Sequence, residues 1–151
     1  MGSYLNPGST AFQGSLRSQI YIDKSGLIEK TNTVLGTEQK YVCVSRPRRF
    51  GKSMAANMLA AYYDRDCDTK EFFDKLKISQ SEEYLKHLNQ YDVLKINMQE
   101  FLSRSSNVKE LLERVEGKVI RELKKQYPDV ELYDENDLAE TMQDIFAESE
   151  C

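Results

Sequence analysis

The sequence contains one histidine, three cysteines and no tryptophan. His87 stands alone and Cys43, Cys67 and Cys151 are scattered, so the closely spaced ligands of an ordinary zinc site are missing. An odd number of cysteines with no close pair argues against a disulfide scaffold and suits a reducing compartment. Three prolines and seven glycines leave no low-complexity tract. No apolar run approaches the length of a membrane span. Residues 1–19 alternate Gly, Ser, Asn and Pro with single apolar side chains, without the h-region of a signal peptide. The expectation is a cytoplasmic protein with no internal repeat.

What is present is 151 residues, 40% hydrophobic and 30% charged. That suffices for one domain with a core, falls short of two ordinary ones, and is richer in apolar residues than a disordered chain. A net charge of -4 argues against a general binder of nucleic acid or membrane surfaces. The average conceals a division, because from Pro128 to Cys151 there are nine acids and no Lys or Arg, leaving 16 acids against 21 bases before it. The body is therefore +5 and the terminal segment -9.

Residues 1–19 read as an irregular N-terminal arm on a single domain spanning 1–151. A helix is predicted over 25–35, carrying Leu27, Ile28, Val34 and Leu35 and stopped by Gly36. The run Tyr41-Val42-Cys43-Val44-Ser45 reads as a buried strand with Cys43 in the core. An Ala-, Met- and Leu-rich helix follows over 52–63. Shorter helices are predicted over 69–76 and 81–88, then a second strand over 92–98. Asn107 with Glu110 three residues on forms a capping-box pattern. It opens a helix over 108–127, whose Val108, Leu111, Leu112, Val115, Val119, Ile120 and Leu123 recur at helical spacing until Pro128 ends it. A last helix from residue 137 puts Leu138, Met142, Ile145 and Phe146 on one side and its acids on the other. Strands alternating with helices predict an α/β fold, a parallel sheet with flanking helices.

The chemistry concentrates between the first strand and its helix, in Arg46-Pro47-Arg48-Arg49-Phe50-Gly51-Lys52-Ser53. Gly-Lys-Ser is the second half of a phosphate-binding P-loop, placed as that motif requires, after a strand and opening a helix. Gly51 lets the backbone approach a phosphate closely, and the N–H groups at the helix start face the anion along the favourable end of the dipole. Lys52, the candidate catalytic residue, would reach the β- and γ-phosphates, and the Ser53 hydroxyl would ligate Mg²⁺. Five bases and no acid lie between Lys40 and Lys52. Of these, Arg48 or Arg49 would add screening of a triphosphate. The generic motif would have glycine where Arg46 stands.

Those residues, together with Tyr4-Leu5-Asn6-Pro7-Gly8, Tyr21-Ile22-Asp23-Lys24-Ser25 and Asn97-Met98-Gln99-Glu100-Phe101, resemble the N-terminal module of bacterial AAA-ATPase-like proteins. The resemblance implies a P-loop NTPase-like fold that binds ATP and Mg²⁺, with 46–53 as its Walker A element and the missing first glycine as the family's own variant. It implies nucleotide contacts from Arg46, Arg48, Arg49, Phe50, Gly51, Lys52 and Ser53, and metal contact from Ser53. It also implies, in longer members, a C-terminal nuclease-like domain of the PD-(D/E)XK type that would bring nucleic acid as a partner; that domain is not in these residues. Family members continue into an apolar strand ending in an Asp-Glu pair, the Walker B element. Here the sequence given stops at Cys151, so the expectation is a domain truncated before that strand, with little turnover and with self-association through unpaired sheet edges.

Weaker signals stay open. Asn97 sits where related ATPases place a sensor of the water-activating carboxylate, and a solvent-facing strand end explains it too. Tyr21 and Ile22 either cover an adenine ring or pack beneath the arm. Tyr62, Tyr63, Phe72 and Phe73 read as helix-face packing, and Asp64, Asp66, Asp68, Asp134, Glu135 and Asp137 as loop or capping acids. The competing function is a non-enzymatic interaction module whose basic loop binds nucleic acid or an acidic protein segment.

Overall fold

Helix formers dominate the sequence, and in the computed structural model of the protein they dominate the fold. Residues 2–45, 47, 49 and 51–148 are described. They form α1 (Thr10–Leu16), α2 (Gly26–Val34), α3 (Lys52–Tyr63), α4 (Lys70–Phe73), α5 (Tyr84–His87), α6 (Met98–Leu102), α7 (Val108–Gln126) and α8 (Leu138–Glu148), with a 3-10 turn at Lys77–Gln80 between α4 and α5. No helix among the described residues is long and apolar enough to cross a membrane.

The chain divides into two compact units. The first, residues 6–93, is built on aromatic packing from α1, α3 and α4. Phe12 stacks on Phe73 with centroids 4.8 Å apart, and Tyr62 meets the same Phe73 edge-on at 5.3 Å. All three are buried with Ile28, Met58 and Ile78, so Tyr62 and Phe73 serve the packing role expected of them. Such rings pull polar atoms in with them. The Tyr62 hydroxyl donates to the Tyr84 carbonyl at 2.7 Å and accepts from Asn32 Nδ2 at 3.1 Å. Tyr63 donates to Asn32 Oδ1 at 2.6 Å, and burial pushes its phenol up to about 12. Asp64, fully buried, accepts from the Gly8 and Asp66 amides, a loop-tying role that matches its expected one.

The second unit, residues 2–5 and 94–148, is organised by α7. Asn107 Oδ1 accepts from the Glu110 amide at 2.9 Å, and Glu110 Oε2 accepts in return from the Ser106 amide at 2.8 Å, a reciprocal cap shifted by one residue. Leu111, Val115, Val119 and Leu123 are buried, whereas Val108 and Leu112 of the same pattern are exposed. Against α7 the extended start of the chain is held by Glu122 and by Lys118, whose Nζ donates to the Tyr4 hydroxyl at 3.3 Å. Glu122 accepts from the amides of Ser3, Tyr4 and Leu5 at 2.8 to 2.9 Å.

The expected α/β fold with a parallel sheet does not form. Among the described residues there is no strand, only two isolated bridges, Leu5 with Leu94 and Asp64 with Tyr91. The reason is visible in exposure. A strand satisfies its backbone only through a neighbour, and the run 41–45 has none in the described structure: Tyr41 is 86% exposed and Val42 and Val44 about half exposed. Cys43 is exposed with them, which overturns its expected place in the core. The run 92–98 gains one bridge and then gives way to helix, because the Asn97 side chain accepts from the Gln99 amide at 3.2 Å and caps α6. A third difference is α1, helical where the Gly-, Ser- and Asn-rich arm reads as irregular.

Candidate functional site

Gly51 caps α3 with φ 76° and ψ 25°, a left-handed conformation that glycine adopts without cost. From there the helix starts at once, its first turn closed by Ala55 N–H donating to the Gly51 carbonyl at 3.0 Å. Two residues earlier, Arg49 is also left-handed at φ 68°. For a residue with a Cβ this costs about 1 to 2 kcal/mol.

Beside this turn lies a cavity of about 330 Å³. Much of the lining is apolar: Met54 and Met58, one helical turn apart on α3, with Ile20 and Ile22 from the segment before α2. Ile20 and Ile22 are 82% and 67% exposed, large apolar side chains left open at the rim of a concave site. The lining also carries charge, Lys24 and Arg49, beside Gly51. Among the described residues no Asp or Glu lines the cavity. Tyr21 completes the lining, its phenol pushed up by burial and then by the nearby Asp23 carboxylate.

Lys24 reaches far into the turn. A Cβ placed on residue 51 would come within 2.8 Å of Lys24 Nζ, so the space glycine leaves open is occupied by an ammonium group. The backbone on both sides of Lys24 is fixed. Asp23 accepts from the Ser25 and Lys77 amides, each at 2.8 Å, and Ser25 Oγ accepts from the Ile78 amide at 3.1 Å. Partial burial works against the Asp23 carboxylate, but these hydrogen bonds outweigh it and hold the group below its ordinary value.

Of the residues singled out from the sequence, the structure brings Arg49 and Gly51 into the cavity lining. Lys52 and Ser53 stand exposed in the first turn of α3 and do not line it. Arg46, Arg48 and Phe50 lie outside the described residues. Tyr21 and Ile22 line the cavity, and Tyr21 also meets Phe12 of the N-terminal arm edge-on at 6.5 Å, the packing placement open to it. Ile20, Lys24, Met54 and Met58 went unrecognised as site residues. The i, i+4 methionine pair on α3 was the available signal, and Lys24 sat within a motif already noted. Asn97 is a helix cap. Among the described residues no cluster of three His, Cys, Asp or Glu side chains could hold a metal ion.

Over residues 11–150 the chain matches a protein family described as predicted AAA-ATPase. It belongs to this AAA-ATPase-like family. The match takes in both the cavity and the loop at Gly51, so the left-handed turn opening α3 is part of the AAA-ATPase-like module itself. No curated protein and no solved structure matches the chain.

Proposed function

We propose that this AAA-ATPase-like chain is an ATP-binding module that seats the base in the cavity and the phosphates at the start of α3. The observation that carries the reading is the left-handed Gly51, which opens a twelve-residue helix beside a cavity lined by apolar side chains and by Lys24 and Arg49. The N–H groups of the first turn of α3 have no partners within the helix and, with the dipole, favour an anion there. Lys52 and Ser53 in that turn would meet the β- and γ-phosphates, and Arg49 adds a positive charge beside Gly51. A cavity of about 330 Å³ lies at the small end of small-molecule sites and suits a base and its sugar better than a whole triphosphate. The flexible, polarisable Met54 and Met58 fit a flat aromatic ring.

The residues present do not by themselves make a Mg²⁺ site. Ser53 offers one oxygen, and no acid cluster accompanies it among the described residues, whereas Mg²⁺ ordinarily takes one or two carboxylates along with phosphate oxygens. Hydrolysis also needs a group that orients water, and no carboxylate is among the described residues that line the cavity. The expected activity is binding with slow turnover. An NMR titration of the labelled chain with ATP tests the reading: the amides of 20–24 and 49–58 should shift most, and shifts confined to α7 and α8 would overturn it.

A further inference from the structure

We propose that Lys24 is a second phosphate-contacting cation of this site, delivered to the Gly51 turn from the segment that opens α2. The inference rests on the ATP reading and adds a residue to it that lies outside the P-loop motif. Three observations converge. Lys24 Nζ lies 2.8 Å from where a Cβ of residue 51 would be, which puts an ammonium group at the part of the loop where a phosphate would approach the backbone. Among the described residues Lys24 and Arg49 are the charged members of one cavity whose lining has no acid, so two positive charges border the same space. The backbone that carries Lys24 is fastened on either side by the Asp23 and Ser25 hydrogen bonds to the 3-10 turn, so little ordering is left to be done on binding.

The chemistry selects a polyphosphate. A compact ammonium on a flexible stem is suited to phosphate oxygens as a point charge, and it can swing within the loop while its backbone stays fixed. Because Lys24 belongs to the turn that leads into α2, a phosphate held by it would tie the start of α2 to the start of α3. The lysine is exposed, so replacing it leaves the buried core of this unit untouched.

Titration of the 151-residue chain, Lys24→Ala and Lys24→Arg with ADP, tripolyphosphate and adenosine tests the assignment. The expected result is that Lys24→Ala weakens ADP and tripolyphosphate about tenfold. Adenosine binding should fall far less than ADP binding, and Lys24→Arg should recover part of the loss. If Lys24→Ala weakened adenosine as much as ADP, Lys24 would be a wall of the base pocket and the assignment would be overturned. Unchanged binding of ADP and tripolyphosphate would overturn it as well, with the ATP reading left standing. If the parent chain bound none of the three, the ATP reading itself would fall, and Lys24 with it.

Discussion

Val42 and Val119 are the same residue in opposite settings. Val42 is 49% exposed in an apolar run with no strand partner in the described structure, whereas Val119 is fully buried on α7. The difference lies in where each segment finds its hydrogen bonds. A helix closes them within four residues, so α7 needs its neighbours only to bury a stripe. A strand needs a second strand before its side chains can be covered, and the run 41–45 lacks one in the described structure. Secondary structure that is locally self-sufficient follows from local sequence, and structure that depends on a partner does not.

The sharpest way to break that contrast is to put a charge at both positions. Val119→Asp buries a carboxylate without a partner and should cost about 4 kcal/mol or more, enough to unfold the second unit, as read by urea denaturation. A smaller loss is expected from Glu122→Ala, which removes the acceptor shared by the Ser3, Tyr4 and Leu5 amides, by about 2 kcal/mol. This effect is pH-dependent. Burial alone would raise the Glu122 carboxyl, but the amide hydrogen bonds outweigh it and hold the group below its ordinary value. Its contribution is therefore complete above the unfolded value of about 4.3 and is lost as the pH falls through the lower folded value. The parent urea midpoint should drop over that window, and the Glu122→Ala midpoint should change less. Asn107→Ala, which deletes the α7 cap, should cost about 1 kcal/mol and speed amide exchange at Glu110. Val42→Asp should shift stability by no more than about 0.5 kcal/mol. A large loss there would mean that 41–45 is covered after all.

How much of this was legible in the sequence follows the same division. The bounds of α3 and the Asn107–Glu110 cap of α7 were readable because their signals are local: helix formers after a glycine, and an acceptor three residues before its donor. The sheet was not, since β-branched residues at 41–45 and 92–98 report only a tendency that pairing must complete. At the site, the Gly51 turn and Arg49 were readable from the loop. Ile20, Lys24, Met54 and Met58 were not, because the cavity they line is built from segments about thirty residues apart that meet only in the fold. Cys43 misled for the reason Val42 did, since a residue inside an apolar run is buried only if the run is.

Isothermal titration of the parent chain and of Lys52→Ala with ATP addresses the phosphate site directly. One ATP per chain should bind the parent, and Lys52→Ala should weaken it by about tenfold or more while leaving the melting temperature of the ligand-free protein in place. Equal affinity in the two proteins, or no binding of ATP or ADP to the parent at millimolar concentration, would contradict nucleotide binding at the start of α3.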